Sequence, residues 1–140
     1  MKRIICFLLV SVLCVGIVSC SAGKSRGFEA FKKEVENDTN FDGKPYVFEY
    51  KDTIEVALLT NDEGIDWEGV SYSFQSGTTE QFLSNTQKYS IYISDLAQQY
   101  GIEKTTYVAV RAKDQNGSPH EVCVFVSGLL LHLMGKDVTK

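Results

Sequence analysis

Between Thr105 and Ser127 apolar and polar residues alternate in two runs, separated by Asp114-Gln115-Asn116-Gly117-Ser118-Pro119. Side chains of a strand point to opposite faces every second residue, so Thr106, Val108, Val110 and Ala112 share one face and Tyr107, Ala109, Arg111 and Lys113 the other. Asn116-Gly117 suits a tight reversal, and Pro119 cannot donate to a ladder, so the pair of runs predicts a β-hairpin. A lone hairpin is marginal in water, and the rest of the chain has to supply strands that cover it. The same period of two recurs upstream in Tyr46, Phe48 and Tyr50, in Ile54, Val56 and Leu58, in Val70, Tyr72 and Phe74, and in Tyr89, Ile91 and Ile93. Asn61-Asp62-Glu63-Gly64 and Ser76-Gly77 punctuate these runs as turns do, and a short edge strand fits around Gln81 to Leu83. Asp95 is placed to cap a brief helical turn over Leu96 to Tyr100, closed by Gly101. The expected domain, residues 44–128, is therefore all-β: a two-layer antiparallel sandwich of about seven strands with no long helix, its core built from Ile54, Val56, Leu58, Tyr72, Phe74, Ile91, Ile93, Val108 and Val110.

The N-terminal pattern is of another kind. Lys2 and Arg3 precede an uncharged apolar run from Ile4 to Val18, a length that suits an export signal better than a membrane-spanning helix. The run closes on Ile17-Val18-Ser19-Cys20, which resembles a bacterial lipobox. The resemblance implies a signal peptide over residues 1–19, cleavage before Cys20, and acylation of that cysteine, which would anchor the chain to a membrane through more than one lipid chain. Ser21 in place of an aspartate retention signal implies an outer membrane where the organism has one, and otherwise the cell membrane.

Cleavage changes the charge. Losing Lys2 and Arg3 leaves twelve cations against 18 anions, net −6, which argues against nucleic acid as a partner and against electrostatic adhesion to anionic lipid. Cys6 and Cys14 leave with the signal and Cys20 is acylated, so Cys123 remains without a disulfide partner and reads as a small hydrophobe of the last strand. Residues 20–43 are rich in Gly, Ser, Asn, Asp and Lys and read as a lipidated tether. Within it Phe28, Phe31 and Val35 recur at helical spacing, predicting a short amphipathic turn or two that docks on the domain or lies near the headgroups.

Gly69-Val70-Ser71-Tyr72-Ser73-Phe74-Gln75-Ser76-Gly77, followed later by Tyr107-Val108-Ala109-Val110-Arg111-Ala112-Lys113-Asp114-Gln115-Asn116-Gly117, resembles bacterial immunoglobulin-like and fibronectin type III-like modules. The resemblance implies their sandwich fold. Their inward tyrosine at the start of the penultimate strand is Thr106 here.

Catalytic patterns are lacking. His120 and His132 have no zinc-ligand spacing, and no nucleophile elbow or phosphate loop is present, so neither an enzyme nor a cofactor is expected. Asp62, Glu63, Asp66 and Glu68 cluster in one loop, where they either offer oxygens to calcium or form a solvated charged loop. Trp67 is either an aromatic platform for a sugar or peptide or a cap on the core, and Tyr92 and Tyr107, on outward phases, would extend a ligand-binding surface. The tail, residues 129–140, begins with Leu129, Leu130, Leu131, Leu133 and Met134, too few apolar residues to cross a bilayer; it folds back as a strand or helix, or offers a partner surface. The expected function is a lipid-anchored, non-catalytic binding or adaptor module of the cell envelope that takes a protein or glycan partner. The alternative is a structural accessory subunit packed permanently in an envelope membrane complex.

Overall fold

A computed structural model of the chain describes residues 26–41, 44–59, 66–77 and 79–139. Six strands form one sheet in chain order: β1 (Lys44–Glu49), β2 (Thr53–Leu59), β3 (Thr105–Lys113), β4 (Pro119–Val126), β5 (Leu129–Leu133) and β6 (Lys136–Asp137). Three helices accompany them: α1 over residues 26–36, α2 (Trp67–Ser76) and α3 (Glu80–Gln99). All neighbouring strands are antiparallel except β2 and β3, which run parallel, so the chain has to cross over between them; α2 and α3 make that crossover. The expected hairpin is present as β3 and β4, and the leucine-rich tail adds β5 and β6 to the same sheet.

The domain is β-rich as the alternating pattern indicates, but the described residues form one mixed sheet with helices on one face, not an all-β, immunoglobulin-like pair of antiparallel layers. Two segments account for the difference. Val70, Tyr72 and Phe74 lie on α2, where Val70 and Phe74, four residues apart, turn inward and Tyr72 is 72% exposed. Asp66 starts this helix by accepting from the Gly69 N–H at 2.8 Å, and Gly77, at φ 74°, ends it. Tyr89, Ile91 and Ile93 lie on α3, a helix of 20 residues, whose buried positions are Thr86, Tyr89, Ser90, Ile93, Leu96 and Ala97. That spacing of three and four is helical, and Ile91 faces solvent. Two core-facing positions are polar: Thr86 donates to the Phe82 carbonyl, and Ser90 donates to the Gln87 carbonyl while accepting from the Gly128 N–H. Polar side chains satisfied in this way disguise an amphipathic helix.

The core lies between the helices and one face of the sheet. Ile54, Val56 and Leu58 of β2, Val108 and Val110 of β3, and Cys123 and Phe125 of β4 meet Ile93, Leu96 and Ala97 of α3. Each large side chain contributes roughly 1.5 to 3 kcal/mol on full burial. Phe31 and Val35 of α1 are fully buried in the same cluster, so the folded unit takes in residues 26–36, which composition assigned to a flexible tether. Gly27 admits the close approach of α1 to the end of α3: a Cβ there would stand 2.5 Å from the Tyr100 carbonyl oxygen. The free edge of β1 is covered too. Residues 45, 47 and 49 point their backbone outward; Pro45 has no N–H, and Val47 donates to Glu36 Oε1 at 3.1 Å.

Candidate functional site: the helix-free face of the sheet

None of the three described helices covers the second face of the sheet. By register, this face receives Tyr46 and Phe48 from β1, Glu55 and Ala57 from β2, Tyr107, Ala109 and Arg111 from β3, and Val124 and Val126 from β4. Glu55 is 3% exposed, a position that a carboxylate occupies only when it is paired. Its Oε1 meets an Arg111 guanidinium nitrogen at 2.6 Å, and its Oε2 accepts from the Tyr50 and Tyr107 hydroxyls, each at 3.4 Å.

The register shows how this pair is built. Glu55 lies beside Tyr107, Ala57 beside Ala109, and Leu59 beside Arg111, so Arg111 starts two rows away from its partner and its stem has to pass over the Ala57 and Ala109 row. Both alanines are buried, at 3% and 1% exposure, and both present only a methyl group. Small residues in the middle of the face make a trough for the arginine stem, and the stem covers them in return. Burial, and after it the Glu55 charge, hold the Tyr107 hydroxyl above the ordinary tyrosine range, so it remains a donor at neutral pH. At one end of the trough Lys104 Nζ closes the β1–β2 hairpin, donating to Glu49 Oε1 at 2.8 Å and to the Tyr50 carbonyl at 2.7 Å. Phe48 and Tyr50, about half exposed, rim the ion pair, and Lys44 lies 5.4 Å from the centroid of the Tyr46 ring. The result is a preorganised polar centre with aromatic edges. It offers stacking and hydrogen bonding; among these groups there is no nucleophile paired with a base.

The three aromatic residues singled out by the sequence lie in different places. Tyr107 belongs to this face. Tyr92 sits on α3, on the other side of the sheet, 37% exposed. Trp67, at the start of α2, stacks on His120 with ring centroids 4.8 Å apart, closing the end of the core next to the β3–β4 turn. His120 Nε2 lies 2.9 Å from Asp114 Oδ2, and Asp114 Oδ1 accepts from the Asn116 and Ser118 N–H groups. His120 and these turn bonds hold the Asp114 carboxyl below its ordinary range.

Of the acidic cluster, Asp62 and Glu63 lie outside the described residues, as does Cys20. Asp66 is committed to capping α2, and Glu68 occupies its exposed first turn. Among the described residues no group of three potential ligands could hold a metal ion. In the tail, Leu129 is 61% exposed, whereas Leu130, Leu133 and Met134 pack against the core and Leu131 is half-buried. His132, beside Val124 in the sheet, pairs with Glu121 at 3.1 Å.

Glu55, Arg111 and Tyr50 were not singled out by the sequence. Their signal was there: each charge occupies the outward phase of a strand otherwise made of apolar residues, and the charges are opposite. What the pattern hides is the parallel pairing that puts β2 beside β3.

Fold and face together define a sheet-and-helix domain with one covered and one accessible surface. Comparison with protein-family models, with curated proteins and with solved structures found no match for this chain.

Proposed function

We propose that the chain is a lipid-anchored, non-catalytic binding or adaptor module of a bacterial cell envelope, tied through Cys20 to the cell membrane or outer membrane, and that the helix-free face takes its protein or glycan partner. The reading rests chiefly on the Glu55–Arg111 pair with Tyr50 and Tyr107, an ordered polar centre rimmed by exposed Phe48 and Tyr50. Among the described residues no helix is long and apolar enough to cross a membrane. The immunoglobulin-like likeness is not needed for it, since any rigid sheet presents such a face.

Two measurements test it. Labelled fatty acid should enter the native chain and be absent from Cys20→Ala. Crosslinking in native membranes should capture a protein or glycan, and Phe48→Ala with Tyr50→Ala should abolish the capture while Tyr72→Ala, on the outer side of α2, leaves it intact. Hydrolysis of a glycan or peptide by the purified chain, lost on changing a carboxylate, would reject the non-catalytic reading. One observation favours the second reading, a permanent accessory subunit: Leu129 is 61% exposed beside the edge of the sheet. A stoichiometric companion that survives purification in mild detergent, and is lost in Leu129→Ser, would select it.

A further inference from the structure

Cys20 stands six residues before α1, which starts at residue 26, and six residues span at most about 20 Å. The start of α1 is set against the end of α3, since a Cβ on Gly27 would stand 2.5 Å from the Tyr100 carbonyl oxygen. From Tyr100 the chain runs on into β3, and Lys104, just before that strand, donates to the Tyr50 carbonyl of the β1–β2 turn at 2.7 Å. The β4–β5 turn lies at the same end of the sheet, because Val126 and Leu129, which flank it, share a row with Tyr107, Glu55 and Phe48. The β3–β4 turn, with Trp67 stacked on His120, lies at the other end, the length of β3 away, about 26 Å.

The end nearest Cys20 is also where apolar side chains are left uncovered. Of the seven large apolar side chains exposed among the described residues, Phe48 and Tyr50 flank the β1–β2 turn, and Leu129 and Ile91 flank the β4–β5 turn. Ile91 reaches that turn from α3, and Gly128 admits it: a Cβ there would stand 2.8 Å from Ile91 Cγ1. The other three, Tyr72, Tyr92 and Val138, lie on α2, on α3 and after β6. The two turns are four strands apart, about 19 Å, with Lys51, Asp52 and Lys104 beside them. Aliphatic and aromatic side chains mixed with lysines are the composition that settles at a membrane interface, and an uncovered strip of this kind marks an interaction surface.

We propose that this end of the domain rests on the bilayer surface, with Phe48, Tyr50, Ile91 and Leu129 set among the lipid headgroups, given the acylated Cys20 of the proposed function on which this depends. The short tether holds the strip at a high local concentration against the lipid, so the contact needs no attraction by charge, which this acidic chain would not supply. The strands then rise away from the membrane, and the helix-free face stands edge-on to it. A partner reaches that face from the side and meets its Phe48 and Tyr50 rim at headgroup level.

The test reads depth with spin labels on the full acylated chain in vesicles of phosphatidylethanolamine and phosphatidylglycerol. Cys20 carries the lipid and Cys123 is buried, so a cysteine introduced on the surface takes the label. Lys51→Cys and Leu129→Cys report the end nearest the anchor, and Gln115→Cys, in the β3–β4 turn, the far end. Labels at 51 and 129 should be relaxed more by oxygen, which concentrates in the bilayer, than by a water-soluble nickel chelate; the label at 115 should show the reverse. Ile91→Ser with Leu129→Ser, added to the Lys51→Cys chain, should remove most of the oxygen preference while the anchor stays in place. A chain that leaves the vesicles fails the anchor, and the proposal with it. A chain that stays with them overturns the proposal alone if its labels at 51 and 129 favour the chelate, if the label at 115 favours oxygen, or if the preference at 51 survives both serine substitutions. Shielding of the label at 129 from both reagents would assign the strip to a second copy of the chain and overturn the proposal as well.

Discussion

Strand β3 serves both faces of the sheet from a single run of residues, and the two sets differ in what covers them. On the helical side Val108, Val110 and Ala112 are sealed under α3 with Ile54, Val56 and Leu58. On the other side Tyr107, Ala109 and Arg111 cover one another: the arginine stem crosses the alanines to reach Glu55, and two tyrosine hydroxyls close on the carboxylate. The first face is held by apolar burial, which is non-directional and tolerant of exchange among similar shapes. The second is held by one ion pair whose geometry depends on how small its neighbours are. The first face therefore supplies stability and the second supplies a shaped surface.

The sharpest way to break this contrast is to cut into each side and compare. Ile93→Ala, at a fully buried position of α3, should cost about 2–5 kcal/mol in urea unfolding. Phe48→Ala on the accessible rim should cost about 0.5 kcal/mol or less. If both cost the same, the helix-free face is as much a core as the helical one, and the division of labour fails.

A subtler effect is expected at Ala109. Enlarging an alanine to leucine on an uncovered sheet face would ordinarily be harmless, yet Ala109→Leu should destabilise by about 1–3 kcal/mol because the new side chain occupies the path of the Arg111 stem. The cause is separable by a double-mutant cycle. In a Glu55→Gln background Arg111 has less to reach for, so the added cost of Ala109→Leu should shrink. An unchanged cost would mean that simple overcrowding is responsible and that the stem takes another route.

Cys123 sharpens the comparison from the covered side. Burial pushes its thiol up to about 12, so at neutral pH the thiolate is scarce as well as inaccessible. A thiol reagent should modify it only on unfolding, and Ile93→Ala should speed the labelling while Phe48→Ala leaves it unchanged. Fast labelling of the native chain would show that the helical side opens far more readily than its packing implies.

How legible all this was in the sequence follows from where two periods compete. The β3–β4 hairpin was readable because Asn116-Gly117 and strict alternation agree. Residues 28, 31 and 35 were readable as a helical turn or two for the same reason, one period with no rival, though the helix they belong to runs over residues 26–36. Residues 70–74 and 89–93 were misread because three apolar residues two apart also fit a strand, while the helical partners that decide the matter include Thr86 and Ser90, polar side chains satisfied by backbone groups. Once the crossover was missed, β2 and β3 could not be placed side by side. The Glu55–Arg111 pair, which exists only across that parallel pairing, was lost with it. Tyr107 lies on the helix-free face, where its outward phase puts it, whereas Tyr92 lies on α3, where a strand phase does not apply.

The smallest expected effect concerns the rim shared by the two faces, the β3–β4 turn. Asp114 binds two backbone N–H groups and His120, and its carboxyl is held below the ordinary value of 3.8. Because the folded value lies below the unfolded one, its contribution is present above about pH 4 and fades as pH falls through the folded value. Asp114→Asn should thus lower the melting temperature slightly at pH 7 and leave it unchanged once the pH is well below the folded value, where the native carboxyl is protonated as well. Trp67, stacked on His120, gives a local readout, since its fluorescence should report the loosening of the turn in the native chain over the same acid window. A melting difference that persists undiminished in strong acid would assign the loss to the turn's backbone geometry. The charge on Asp114 would then have no part in holding the hairpin end to α2.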